Sequence, residues 1–330
     1  MNIFYRGGIK MKKAKRTALF LLPFILCSFI AGIHTVFGSS ISQSQIENIS
    51  NENTKKQIAK IVLEDTGKSI PDIELEKVKV EIFMENTMGN NEKDAIISVS
   101  YGPKHNVTAV YEKDKTGYEY AGSLGDFFAP KNIIVKNFKH GNPLIFLSDD
   151  TNQKIGALEE CTYLYGSTWN EETEEFVNVF TEPMNINTQW LEDGVWHKVE
   201  RKGSAVYENS AVPNIKSDFE QAYYTAEDGG RKTSPSSEDY TLMEEWKEQE
   251  TYYWSSEWRR FIVDEKIEKS TGEKVAVVSR WEKLPYSRTP EFEKYSDYER
   301  IIRKDGTNES MPKENLSEIE NKTFKEIENM

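Results

Sequence analysis

The side chains best suited to chemistry are few or unclustered in this chain. Four histidines are present: His34, His105, His140 and His197. None belongs to an HExxH pair, the spacing that turns two imidazoles toward one zinc ion from one helix face. His197 falls in a strand-like stretch from Trp196 to Val199 and reads as a hydrogen-bonded or exposed polar residue. Cys27 and Cys161 are too few for a four-cysteine zinc site or a disulfide framework. Cys161 is preceded by Glu159 and Glu160, which disfavour a thiolate, so a buried and inert thiol is expected. No GxSxG, GxGxxG or Walker loop occurs. Asp149-Asp150-Thr151-Asn152 lacks the Gly and final Glu of a calcium loop; it predicts a hairpin turn with solvated acids.

Carboxylates and tryptophans are abundant instead. Glu159-Glu160, Glu171-Glu172 and Glu174-Glu175 are acidic pairs. A glycoside hydrolase needs only two carboxyls about 5–9.5 Å apart, and abundance does not single out such a pair. Trp169, Trp190, Trp196, Trp246, Trp254, Trp258 and Trp281 can stack on sugar rings, but core filling is the favoured reading. The sequence therefore assigns no catalytic residue, and no cofactor or metal is implied.

The elements that would position such groups are mostly strands. From about 76 to 202 the apolar pattern repeats every two residues. Strands are predicted at 78–84, 95–101, 107–112, 118–123, 132–138, 144–148, 161–166 and 176–180, each β-branched or aromatic and bounded by Gly, Asn, Asp or Pro. Lys113 to Gly117 and Glu192-Asp193-Gly194 read as hairpin turns. Ile96, Val99, Val107, Val110, Ile145, Leu147, Val177 and Val179 are expected inside. Thr54 to Thr66 predicts a short helix with Ile58, Ile61 and Val62 on one face and Thr54 as N-cap. Further helices are expected over Asp218–Thr225, after the Ser236/Asp239 capping pattern with Leu242, Met243 and Trp246 on one face, and from Thr289-Pro290 through 303. Residues 274–284 look like a strand. The fold class expected is mainly β, with antiparallel propeller-like or sandwich-like sheets and short flanking helices, turning α+β in the C-terminal part. The expected domains are a leader at 1–38, a flexible spacer at 39–53, a β domain at 54–284, a helix at 285–303, and a charged tail at 304–330 that is disordered or a frayed helix.

Residues 107–124 and 161–180 share one plan, an aromatic strand, a polar turn and an aromatic-led return strand. Residues 252–265 repeat it, and 91–101 and 140–148 feed the first two. This pattern resembles the repeats of integrin-type β-propellers, which carry a calcium loop before the first strand. The matching loops, Asn90 to Asp94 and His140-Gly141-Asn142-Pro143, lack the alternating acids, so calcium binding does not carry over. In its Lys, Glu, Asn and Ile richness and its leader the chain also resembles exported proteins of low-GC Gram-positive bacteria such as clostridia.

Charge bounds the partners. The chain has 330 residues, 42 basic and 55 acidic, for a net charge of −13. A nucleic-acid footprint needs clustered cations, so that class is excluded. Mean hydropathy of −0.67 excludes a polytopic membrane protein. Arg6, Lys10, Lys12, Lys13, Lys15 and Arg16 precede residues 17–38, which carry no charged side chain. A basic flank before an apolar stretch is the layout of an export signal, with Met11 as an alternative start. Val36 and Gly38 suit cleavage after Gly38. Uncleaved, the stretch reaches the ~20 residues that span a bilayer. Cys27 as a lipidated cysteine is disfavoured by Phe24-Ile25-Leu26 before it. Without residues 1–16 the balance is 36 − 55, or −19.

The expected function is an exported, non-enzymatic protein, secreted or at the cell surface, that binds an unidentified protein or cell-envelope ligand. It would touch the membrane only through residues 17–38. The alternatives are an extracytoplasmic hydrolase of glycans or peptides, and the outer sensor part of a one-span protein.

Overall fold

The computed structural model describes residues 40–319, apart from 70, 72–73, 91, 103–104, 155–157, 231–233 and 291–294. The leader, its cleavage site and the end of the tail lie outside the described residues. Period-two patterning dominates, and the chain is mainly β as expected. The strands are β1 (Ser40–Ser42), β2 (Lys79–Glu85), β3 (Asp94–Gly102), β4 (His105–Lys113), β5 (Gly117–Phe127), β6 (Pro130–Lys136), β7 (Leu144–Lys154), β8 (Leu158–Asn170) and β9 (Glu175–Glu192). They continue as β10 (Val195–Glu208), β11 (Asn214–Glu227), β12 (Thr241–Ser255), β13 (Arg260–Ile262), β14 (Asp264–Glu268), β15 (Lys274–Arg280), β16 (Tyr298–Ile302), β17 (Asn308–Pro312) and β18 (Leu316–Glu318). Two α-helices, α1 (Gln43–Glu47) and α2 (Glu52–Asp65), precede β2.

Three antiparallel sheets result. The N-terminal sheet has the order β1-β5-β4-β3-β2, the central sheet runs β13 to β6 as one unbroken meander, and the C-terminal sheet is β17-β16-β15-β14-β18. Two of the sheets curl into half-barrels. The eight-stranded meander is sandwich-like rather than divided into four-stranded blades. The recurring plan survives locally, as the three-strand units β3-β4-β5 and β7-β8-β9 in different sheets. The Asp193-Gly194 turn between β9 and β10 has φ of 48° and 79°, the pair of positive values that a twisted two-residue hairpin demands.

Sheet faces follow the alternation. In the N-terminal sheet Ile97, Val99, Val107, Ala109 and Tyr111 pack against Ile58, Ala59, Val62 and Leu63 of α2. Ile96 and Val110, on the opposite face, meet Ile145, Val135 and Phe176 of the central sheet. This sheet is covered on both sides, which is why its strands read as nearly continuous apolar runs. The other half of the central sheet packs Phe146, Val179, Phe180, Ile215, Tyr252 and Phe261 against Val275, Val277, Ile301 and Met311 of the C-terminal sheet. All eight expected interior residues are buried except Val177, which is half-buried.

Several expectations are corrected. The spacer at 39–53 is ordered from Ser40 on: Ile41 is buried, and Ser42 caps α1 with a capping box closed by Gln45. Asn51, not Thr54, caps α2, accepting from the backbone N–H of Asn53 and Thr54. Asp218–Thr225 lies in β11, locked between β10 and β12. Ser236 and Asp239 do form their box, but it closes a single 3₁₀ turn, and Thr241–Ser255 continues as a strand. Pairing with β11 overrides the helix propensity of Leu242, Met243, Glu244, Glu245 and Lys247 in β12. The helix expected at 285–303 is a 3₁₀ turn, Pro285–Arg288, followed later by β16. The tail from 304 supplies β17 and β18, which pair with β16 and β14.

Gly203 of β10 shows how tightly the central sheet is packed. A Cβ there would sit 2.7 Å from the Met184 carbonyl and 2.8 Å from the Phe219 ring. Gly203→Ala must push backbone or ring aside, so it is expected to cost about 1–3 kcal/mol. Urea unfolding of the variant measures this, and an unchanged midpoint contradicts the packing described.

Candidate functional site

Where the central sheet meets the C-terminal sheet, charge is buried inside the curl. Thr151, Cys161, Ile186, Arg201, Gln221 and Trp246 form one row straight across β7 to β12. Arg201 and Glu182 are almost fully buried, 1% and 2% exposed. Arg201 Nη2 lies 2.9 Å from Glu182 Oε1, and the guanidinium carbon sits 3.4 Å from the centre of the Phe219 ring. Tyr252 donates its hydroxyl to Glu182 Oε2 at 2.6 Å. Burial pushes the Glu182 carboxyl above its ordinary range, opposed by Arg201 and Tyr252. Close by, Arg280 of β15 donates to Glu250 of β12 at 3.0 Å and approaches Glu299 of β16, which also holds Lys266 of β14. Arg280–Glu250 clamps the two sheets together, while Arg201–Glu182 lies within the central sheet, where Arg201 also borders the depression along β7 to β10.

A cleft opens at the end of the central sheet where three connections converge: 137–143 between β6 and β7, 171–174 between β8 and β9, and 256–259 between β12 and β13. Its volume is about 420 Å³, within the range of small-ligand sites. The floor is aromatic. Phe138 meets Trp254 edge to face at 4.6 Å, and Trp254 meets Phe261 at 5.4 Å. Trp169 and Val177 form a side wall. Trp254 and Trp169 are half-buried, so each packs one part of its ring and leaves another open. The rim is polar: His140, Asn142, Glu171, Glu172 and Arg259.

Local chemistry fixes that rim. Arg259 sits at φ 49° in its turn, a left-handed conformation uncommon for a side-chain-bearing residue. There it makes two parallel bonds of 2.6 Å to the Glu172 carboxylate, the bidentate geometry that joins two turns firmly. Arg259 holds the Glu172 carboxyl below the usual carboxylate range. Thr168 donates to the Asn142 carbonyl at 2.9 Å, and Asn142 Nδ2 reaches Glu171 at 3.4 Å. Tyr207 donates to the Asn137 carbonyl at 3.1 Å, and Lys139 N–H donates to Asn209 at 3.2 Å. The 137–143 connection is thereby tied to the end of β10.

A second depression, of about 650 Å³ along β7 to β10, is less suited to a ligand. Its side chains already bond one another: Thr162 to Asp150, Asn152 to Glu160 and Asn187 to Glu160. No aromatic ring lines it.

The residues weighed from sequence fall as follows. Cys161 is a buried free thiol, pushed up to about 12 by burial. His197 is buried, shares a 2.8 Å hydrogen bond with the Tyr223 hydroxyl and stacks on Trp190. His105 is exposed beside Tyr101, and only His140 reaches the cleft. Asp149 to Asn152 is not a turn but the middle of β7. Asp149 is buried and accepts the backbone N–H groups of Phe128 and Ala129; strand alternation drives it inward, and those donors compensate its charge. Glu160 belongs to the outer face, Glu159 to the opposite face with Cys161, and Glu171-Glu172 to the cleft rim. Among the described residues no group of three His, Cys, Asp or Glu is placed to hold a metal ion, and no helix is long and apolar enough to cross a membrane. Sequence reading missed the convergence at the cleft; the propeller resemblance had nonetheless singled out His140 to Pro143, part of its rim. No protein-family model, curated protein or solved structure matches the chain.

The clamp carries a pH dependence. Burial pushes the Glu250 carboxyl up to about 7, against the pull of Arg280 and Lys283. Below its unfolded value both states are protonated. Between that value and about 7 only the folded chain keeps the proton, so this contribution to stability is lost as pH rises through the window. Glu250→Gln is expected to gain on the parent chain between about pH 5 and about pH 8, by on the order of 3 kcal/mol. Urea midpoints at both pH values test this; a constant or reversed difference contradicts it.

Proposed function

We propose that the chain is an exported binding protein whose ligand seats in the cleft between the three connections. The observation that carries this reading is the cleft's composition: a half-open aromatic floor beneath a rim of amide, imidazole and carboxylate groups brought together by separate connections at one end of the central sheet. Such a site orients a ligand without a nucleophile or an activated acid. The basic flank and uncharged stretch of residues 1–38 support export. The acidic body supports a partner other than nucleic acid. Attachment to a membrane, where it occurs, runs through residues 17–38.

The hydrolase alternative requires a carboxyl with a raised pKa in a cleft. Glu250 and Glu182 are raised but sit in the clamp between sheets and within the central sheet, whereas Glu172 on the cleft rim is lowered. This distribution favours binding over hydrolysis.

In cells expressing the chain, protease added outside is expected to digest the body while a cytoplasmic control survives. The purified chain is expected to bind a cell-envelope preparation of its host, with Trp254→Ala about tenfold weaker and Trp281→Ala unchanged. A body protected inside intact cells overturns export, and envelope binding indifferent to Trp254 overturns the cleft as the site.

A further inference from the structure

We propose that the ligand of this cleft is a neutral saccharide, one pyranose ring of which lies on the Trp254 platform; the proposal rests on the binding reading above. Three features of the cleft select this class.

The first is the arrangement of the rings. Phe138 and Trp254 touch at 4.6 Å with planes at 74°, and Trp254 leans on Phe261 at 5.4 Å. Rings this close and nearly perpendicular leave no space between them, so Phe138 and Phe261 brace the indole, and the open part of Trp254 alone is the platform. An aromatic cage for a quaternary ammonium needs faces held apart around the cation. The C–H groups on one side of a pyranose carry a slight positive charge and suit the negative face of an indole, whereas the ring's edge carries hydroxyls.

The second is the rim. His140, Asn142 and Glu171 line the cleft with Trp254; Asn142 Nδ2 meets Glu171 at 3.4 Å, and an amide and a carboxylate so joined still have acceptor positions for hydroxyls. Hydroxyls both donate and accept, so they can meet all three. The Arg259 guanidinium is engaged bidentately by Glu172, so it is not a free anchor for an anion.

The third is charge. The connection that closes the cleft reads Glu171-Glu172-Thr173-Glu174-Glu175, with all five residues exposed. Phosphate and carboxylate ligands are repelled from this side, which sets nucleotides and acidic glycans aside although a base would also stack on indole. The polar rim disfavours a purely apolar ligand, which would strand its groups without partners.

The test uses the purified full chain and four neutral tetrasaccharides as probes: β-1,4-glucose, α-1,4-glucose, β-1,4-N-acetylglucosamine and β-1,4-mannose. Choline and ATP serve as comparators. Titration calorimetry is expected to show binding of at least one tetrasaccharide, weakened about tenfold or more by Trp254→Ala. Because Trp254 also packs against Phe138 and Phe261, Asn142→Ala at the rim is measured beside it and is expected to weaken binding with the thermal midpoint unchanged. If no tetrasaccharide binds, or if choline or ATP binds in a Trp254-dependent way instead, the proposal is overturned. Trp254-dependent binding to the envelope preparation would in that case still stand, so loss of the saccharide reading is distinguishable from loss of the site.

Discussion

The buried contact between Arg201 and Glu182 is the constraint on which the central sheet depends. Taking an isolated ion out of water costs several kcal/mol even after relaxation, and a pair recovers that cost only with good geometry and satisfied neighbours. Here Glu182 meets Arg201 on one oxygen and accepts from Tyr252 on the other, while Phe219 covers the guanidinium face; the buried guanidinium nitrogens make no well-aligned hydrogen bond among the described residues, so the arginine depends on this one counter-charge. The absence of a side chain at Gly203 lets Phe219 lie where it does. A slip of β9 or β10 by one residue would turn one charge to the outer face and leave the other buried alone, and a slip of β12 would take the Tyr252 hydroxyl away from Glu182. The pair therefore fixes register among three strands that an apolar interior would hold less specifically.

That register reaches the cleft through aromatic contacts. Tyr252 meets Phe180 at 5.0 Å, Phe180 meets Phe261 at 6.2 Å, and Phe261 meets Trp254, which carries Phe138. Tyr252 and Trp254 lie two residues apart on one face of β12. The hydroxyl that satisfies Glu182 thus sets the depth at which the indole stands in the cleft. On the other side, Glu250 of the same strand reaches Arg280 and joins the C-terminal sheet to the clamp. One strand carries the floor of the cleft, a hydroxyl donor to the ion pair and the clamp between two sheets.

Much of the fold is legible in the sequence because period two is a direct consequence of strand geometry. Residues 95–101 and 107–112 alternate or run apolar, and they form β3 and β4. The Asp193-Gly194 turn announces itself by residue type. Residues 241–250 mislead, since Leu, Met, Glu, Lys and Gln favour a helix in isolation, and only pairing with β11 reveals a strand. Asp149 misleads because acids favour turns, while the two N–H groups that hold it come from residues about twenty positions away. Arg201 stands between Glu200 and Lys202 and reads as part of a solvated charge run. Its burial follows from alternation with Val199 and Gly203, but its partner Glu182 is not visible without the β9–β10 register. The cleft is harder still: Phe138 comes from the β6–β7 connection, Trp169 from the end of β8 and Trp254 from the end of β12, and nothing local joins them.

A double-mutant cycle at Glu182 and Arg201, read by urea unfolding at neutral pH, tests the central claim most directly. Glu182→Gln and Arg201→Met should each cost about 3–5 kcal/mol, because each leaves the opposite group buried without its counter-charge. The double variant should cost clearly less than the sum, with a coupling of about 2 kcal/mol or more. Single variants close to the parent chain, or a double variant equal to the sum of the two, would show that the pair does not hold these strands in place.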